Sequence, residues 1–497
     1  MEPEVVAPAG PFRRHRALIA GLAGLALGAG ALVGVAPWSK AKPVRIAAAP
    51  KPAPTTTAAP ATTTTTAAPA VLEIVSTTTT TVAPPPVTAP PAPAPTPVTY
   101  APLTFGARLE LAMGGLPGCL VVEQDGAVIF ERNPALSLVP ASTQKLMVGI
   151  AALARLGPDY RFETKVVAPA APTGGRLADA WMVGAGDPYL ATPDYIGYAA
   201  SKPRLVSLPL TPLTSLADAL VAAGVQEIPG GLHGDESRYD TARSVPSWKP
   251  SYVQEAEVGS IGALTVNEGF ASYGASQVVS PDPAAQTLGA LTVMLRERGV
   301  AAADPGPAPD GATQAPSGGV VVATVRSAPL AAIVAAMLRA SDNYAAEMLL
   351  RELDRATGGA GTTAGGAARV VVEMGQAGVG TEGVHLNDGS GLDQGNRSTC
   401  TALLGALTLT ARPELSPVAE GLAVAGRTGT LINRFLGTAA EGRLAAKTGW
   451  INGAAALVGR LDGVATRRFA LVMNGNFNWA TAKTIQERVV EVLATVP

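Results

Sequence analysis

Cysteine and histidine are scarce in this chain: two cysteines, Cys119 and Cys400, and three histidines, His15, His233 and His385, in 497 residues. Two thiols cannot assemble a four-ligand zinc site, and three scattered imidazoles do not repair the deficit, so metal chemistry is not expected. There is no Gly-x-Ser-x-Gly, and neither His233 nor His385 sits in a catalytic signature, which disfavours a conventional serine triad. Both read as structural or surface histidines. Charge of one sign is also lacking. Lys+Arg number 37 against Asp+Glu 38, with no long basic run, so nothing here would neutralise a phosphate backbone and nucleic acid is not an expected partner. Aromatics make up only 4% while hydrophobic residues reach 47%, which points to an aliphatic core. The length leaves room for about two to four domains.

What is present at the N-terminus is a run of 22 uncharged residues from Ala17 to Trp38. At 1.5 Å per residue that matches the roughly 30 Å hydrocarbon layer of a bilayer. Arg13, Arg14 and Arg16 stand just before it, so residues 1–16 are expected to stay cytoplasmic and everything beyond residue 38 to lie outside. An uncleaved single-pass anchor is favoured over a signal peptide because the run is long and lacks a small-x-small site just after it; cleavage near Ala47–Ala49 is the alternative, and would make the protein secreted. Residues 39–103 follow as a tether: positions 41–103 hold 16 Ala, 15 Pro and 16 Thr, too little apolar bulk for a core. Such a segment favours extended polyproline II.

From residue 104 the pattern changes. Cys119–Val122 and Ala127–Glu131 read as a hairpin. Leu146, Met147, Ile150, Leu153 and Leu156 recur at three- and four-residue steps, which predicts a helix stopped by Gly157 and Pro158. At its head stand Ser142 and Lys145, three apart and so on one helix face. The positive end of the helix is expected to lower the lysine pKa and make it a base for the serine. Ser-x-x-Lys alone is weak, since Ser39–Lys42 also matches it by accident in the juxtamembrane segment. Two more motifs give it context. Ser341-Asp342-Asn343 is expected in a turn between the helical patterns Leu330–Leu338 and Tyr344–Leu353. Lys447-Thr448-Gly449 lies in the first of three apolar runs that read as antiparallel strands, with a closing helix from Trp479 to Val496. Only nine lysines exist in the chain, and two fall where the first and third motifs need them.

Ser-x-x-Lys, Ser-x-Asn and Lys-Thr-Gly in this order are the motifs of penicillin-interacting serine enzymes. The 196 positions between Lys145 and Ser341 exceed what a compact β-lactamase needs, so residues 171–317, with their own strand and turn patterns, read as one or two inserted domains. The arrangement resembles the D-alanyl-D-alanine carboxypeptidase/endopeptidase family, the class C low-molecular-mass penicillin-binding proteins. Further stretches carry the likeness: Gly186-Asp187-Pro188 with Leu190, Asn387-Asp388-Gly389-Ser390-Gly391-Leu392 with Asn396-Arg397, and Gly429-Thr430-Leu431 with Arg434. The resemblance implies an α/β (α+β) fold: a β-lactamase/transpeptidase-like catalytic domain from residues 104–170 and 318–497, its antiparallel sheet flanked by helices, with smaller β-rich insertion.

It also implies a mechanism without cofactor. Ser142 is the nucleophile and Lys145 its base; Ser341, near Lys145, relays a proton to the leaving amine; Asn343 holds the acyl side. Lys447 and Thr448 bind the terminal carboxylate of a peptidoglycan stem peptide ending in D-Ala-D-Ala, and the N–H groups of Ser142 and Trp450 receive the oxyanion beside Gly449. β-Lactams are implied as inhibitors. The family often has threonine where Trp450 stands, so the cleft rim is bulkier here. Arg427-Thr428-Gly429 imitates the third motif and reads as a loop. In the implied fold Cys119 and Cys400 could be neighbours and form a disulfide outside the cytoplasm; two buried thiols are the alternative. The rival functions are a β-lactamase, disfavoured for want of a separate acidic deacylation motif, and a wall-binding scaffold with a weak site.

Overall fold

The computed structural model describes residues 103–274, 276–308 and 310–495. The expected membrane segment 17–38 and the tether up to residue 102 lie outside the described residues. Among the described residues no helix is long and apolar enough to cross a membrane.

The three C-terminal runs form adjacent strands, Leu444–Ile451, Ala454–Leu461 and Arg467–Asn474, and the last pairs with the first strand, Gly118–Gln124. Ala127–Arg132 on one edge and the short Ala423–Val424 on the other complete a six-stranded antiparallel sheet. The hairpin between the first two strands turns on Asp125 and Gly126, both in the left-handed region at φ 51° and 88°, as a two-residue turn requires.

Side chains alternate across this sheet, and both faces are covered. Cys119, Val121, Ala456, Val458, Ala470 and Val472 face one hydrophobic core. Leu120, Val122, Ala455, Leu457, Leu471 and Met473 face another. This explains why the central strands read as continuous apolar runs instead of alternating ones. The second core is closed by the helices Phe105–Met113 and Trp479–Thr495. The first is filled by the helix Lys145–Leu156, apolar on nearly every side and buried from Lys145 through Leu153, with the helices Leu330–Ala340, Asn343–Ala356, Thr363–Gln376 and Cys400–Leu409 around it.

A second sheet stands on its own core. Its strands run in the order Val320–Arg326, Glu163–Ala168, Ala180–Val183, Leu232–Asp235. Leu216 and Leu220 of the helix Thr214–Ala222, and Leu288, Leu291 and Leu295 of the helix Pro283–Glu297, pack against it. Two of these strands lie just outside the 171–317 stretch read from the spacing. A further cluster sets Tyr239, Val245, Trp248 and Val258 against Tyr344, Met348, Leu392 and Ile451, so this part of the chain leans on the elements that carry the second and third motifs.

Cys119 and Cys400 are joined by a disulfide, with Cα atoms 5.9 Å apart, between the first strand and the start of the helix Cys400–Leu409. It closes a loop of 281 residues and is wholly buried in the first core. Thiol titration of the denatured, unreduced protein should therefore find no free thiol. Replacing both cysteines by alanine should lower the unfolding free energy by about 5 kcal/mol in the chain-entropy account, measured by denaturant titration.

Candidate active site

Ser142 lies in a 3-10 turn, Ala141–Gln144, that runs directly into the helix starting at Lys145. Ala141 takes φ 47°, an unfavourable value for a residue with a Cβ, and Thr143 donates to the Pro140 carbonyl at 2.6 Å to hold the turn. The Lys145 amine is completely enclosed. It donates to Ser142 Oγ at 2.9 Å, to Asn343 Oδ1 at 2.8 Å and to the Ser390 carbonyl. Ser142 Oγ donates in turn to the Ser390 carbonyl at 3.1 Å.

Burial lowers the Lys145 pKa to about 8, against the raising effect of the carboxylates of Asp388, Asp342 and Glu347. Desolvation is thus the leading cause of the shift. An amine that titrates near 8 is partly neutral at physiological pH and can accept the serine proton.

Ser341 ends the helix Leu330–Ala340 in the left-handed region at φ 60°, and Asp342 caps the next helix by accepting the Ala345 N–H at 3.0 Å. The turn between the two helices is therefore rigid, as read from the pattern. Its hydroxyl, however, accepts from Lys447 Nζ at 2.7 Å, and Lys145 spends its three donors elsewhere. Ser341 is thus hydrogen-bonded to Lys447. Lys447 is itself wholly buried and also donates to the Thr448 carbonyl at 2.7 Å. Burial first, then the charges of Lys145 and Arg204, hold its pKa well below the usual lysine range. Lys447, expected to bind a substrate carboxylate, thus turns its amine to Ser341 and is enclosed beside the cleft.

Thr448 does face the cleft, and its hydroxyl donates to Thr430 Oγ1 at 2.9 Å. Gly449 has no room for a side chain, since a Cβ would lie 2.8 Å from the Pro140 carbonyl and 3.2 Å from Ser142 N. The strand thus runs directly against the serine turn. Trp450 is half-buried, its ring edge-on to Trp479 with centroids 5.2 Å apart. Arg427–Gly429 is a turn, not a strand, and it delivers Thr430. The cleft bounded by these groups has a volume of about 560 Å³. A larger cavity, about 1040 Å³ between the helices Phe105–Met113 and Trp479–Thr495, contains none of them.

The loop 387–396, noted from the sequence only as a likeness, proves to be the organiser of the site. The Asp388 carboxylate accepts from Gln144 Nε2, Gly391 N, Asn396 Nδ2, Trp248 Nε1, Asp393 N and Ser390 Oγ. Glu347 accepts from the N–H groups of Gly389 and Ser390 at 2.9 and 2.7 Å, and burial pushes its carboxyl up to about 8. Together they aim the Ser390 carbonyl at both Ser142 and Lys145. Glycine is obligatory at 391, where φ is 84° and a Cβ would sit 2.2 Å from the Ala141 carbonyl. The polar, glycine-dense run was a usable signal for this loop. Thr430 came from the Gly429-Thr430-Leu431 likeness, whereas Arg204 and Glu257, which also line the cleft, gave no signal.

The model of the D-Ala-D-Ala carboxypeptidase 3 (S13) family matches residues 109–296 and 274–496. The chain belongs to the S13 family. It is 30% identical over 439 residues to the D-alanyl-D-alanine carboxypeptidase of Actinomadura sp. (strain R39), covering 73% of this chain and 78% of that protein. It is 29% identical to Carboxypeptidase DacB of Mycolicibacterium smegmatis, over 81% of this chain and 85% of the relative. The crystal structure of penicillin binding protein 4 from Haemophilus influenzae shares the fold, with a TM-score of 0.66 at 18% identity over 78% of this chain and 99% of that one.

Three measurements probe this S13 site. Neutral Lys145 becomes more abundant as pH rises through about 8, so the rate of acylation by a fluorescent penicillin should rise about tenfold per unit below that pH and level off above it. Asp388→Asn removes a charge that raises the Lys145 pKa, so the profile should shift to lower pH while the maximal rate falls. An unshifted profile would separate Asp388 from the amine. Gly391→Ala should abolish acylation, because the added methyl collides with the chain carrying Ser142.

Proposed function

We propose that this S13 member acts as a serine D-Ala-D-Ala carboxypeptidase on peptidoglycan stem peptides. The observation that carries this reading is the enclosed Lys145 amine, 2.9 Å from Ser142 Oγ and lowered to a pKa of about 8.

Ser142 Oγ attacks the carbonyl carbon between the two terminal D-alanines, and its proton passes to Lys145 Nζ as the C–O bond forms. The negative charge developing on the carbonyl oxygen is met by the backbone N–H groups of Ser142 and Trp450, which the packing of Gly449 against Ser142 N brings together. The C–N bond then breaks, and the proton that Lys145 took from Ser142 passes by way of the Ser341 hydroxyl, which Lys447 orients across its 2.7 Å contact, to the departing amine, leaving Lys145 neutral for the next step. Asn343, tied to Lys145 through Oδ1 and to the Glu257 carbonyl through Nδ2, holds the acyl side. Water, deprotonated by Lys145, releases the shortened peptide. β-Lactams enter the same path and stop at the acyl-enzyme.

We further place the catalytic region outside the membrane on the anchor 17–38. The arginines before that segment support this, as does the disulfide, which persists in oxidising compartments. The second sheet, residues 163–326, is read as the body inserted into the catalytic domain; its separate core supports that division.

The full chain should be labelled covalently by fluorescent penicillin and should release D-alanine from a synthetic peptide ending in D-Ala-D-Ala. Ser142→Ala should lose both activities with an unchanged melting temperature. Rapid turnover of the label points instead to a β-lactamase, and no label at all to a scaffold. Deleting residues 1–99 should free the protein from the membrane fraction without loss of labelling.

A further inference from the structure

Lys447 is enclosed with its amine turned to Ser341, and it does not line the cleft. Two charged side chains line the cleft in front of Ser142, Arg204 and Glu257. We propose that Arg204 is a specificity-determining residue that reads the carboxylate of the leaving residue, with the Thr430 hydroxyl, oriented by Thr448, completing its site. This rests on the carboxypeptidase reading.

Arg204 comes from the segment that follows the helix Pro193–Ala200, far in sequence from every motif. Its Nη2 donates to the Ala340 carbonyl at 2.6 Å, which holds the guanidinium beside Ser341, the residue read as passing the proton to the leaving amine. Among the described residues no acceptor takes its Nε or Nη1 protons, and no carboxylate pairs with it. A cation held by one hydrogen bond, with the rest of its donor fork turned to an open cleft, is arranged for an external anion. Its charge lowers the pKa of both Lys145 and Lys447, so its field reaches the reacting atoms.

The hydroxyl pair adds direction. Thr448 Oγ1 donates to Thr430 Oγ1, which leaves the Thr430 proton for an acceptor in the cleft. Glu257 carries the opposite charge and repels a carboxylate, so an anion is drawn toward Arg204 and away from Glu257. The competing role for Arg204 is structural: its bond to Ala340 satisfies a carbonyl at the end of the helix Leu330–Ala340, where a cation also complements the helix dipole.

The test compares an N-acetylated synthetic peptide ending in D-Ala-D-Ala with its C-terminal amide, on the full chain. The native enzyme should prefer the acid. Arg204→Ala should lower kcat/KM for the acid about tenfold, mainly through KM, as expected for loss of one charge-assisted contact. The amide should lose far less, and Arg204→Lys should recover part of the preference. Glu257→Gln should raise the ratio of acid to amide. Any change in the Lys145 pKa acts on both peptides alike and cancels in that ratio. Equal losses on acid and amide, or none on either, would overturn the assignment and leave Arg204 a helix cap. Failure of the native chain to cleave either peptide would overturn the carboxypeptidase reading and this inference with it.

Discussion

The enclosure of one amine sets the terms for the rest of the site. Lys145 is wholly buried, yet its three donors meet Ser142 Oγ, Asn343 Oδ1 and the Ser390 carbonyl, from three separate stretches of chain. Burial disfavours the charged form, and the surrounding carboxylates return only part of what desolvation takes, which leaves the pKa near 8. Were the amine exposed, it would stay protonated at neutral pH and could not serve as a base. Were it buried without its acceptors, the fold would carry an unpaired polar group. The site needs both conditions together.

Meeting them takes most of the catalytic region. The sheet is covered on both faces, so the nucleophile helix can sit in a core instead of on a surface. Asp388, with six donors converging on it, and the buried Glu347 fold the loop 387–396 so that one carbonyl reaches both catalytic side chains. Gly391 and Gly449 allow two backbones to approach the Ser142 turn closely. The disulfide ties the first strand to the helix that follows this loop, in the same core that holds the nucleophile helix.

The two lysines of the motifs divide the work differently from what their order in the chain implies. Lys145 faces the nucleophile, and Lys447, enclosed beside the cleft, faces Ser341. The charge of Lys145 lowers the tendency of Lys447 to hold a proton, and Arg204 acts on both in the same sense. The strand bearing Lys447 presents Thr448 and Trp450, not its amine, to the cleft. Segments from the second-sheet side supply the remaining wall through Arg204 and Glu257, and Trp248 reaches Asp388 from the same part of the chain.

By itself the sequence determined the chemistry of the centre and the elements that bear it. Three short motifs, the three- and four-residue apolar steps from Leu146 to Leu156 and the three apolar runs after Lys447 are local features, legible without knowing what packs against them. Contacts between distant stretches left no such trace. Which donor each lysine turns to which hydroxyl depends on how two helices and a strand meet, so Lys447–Ser341 and Lys145–Asn343 were decided only by tertiary structure. The same holds for Asp388, whose partners come from Gln144, Trp248 and its own loop, and for Arg204, an arginine in an irregular segment with no periodicity to mark it. The disulfide stood between both: composition permitted it, but only the sheet that places the first strand beside the helix Cys400–Leu409 brings two Cα atoms within 5.9 Å across 281 residues.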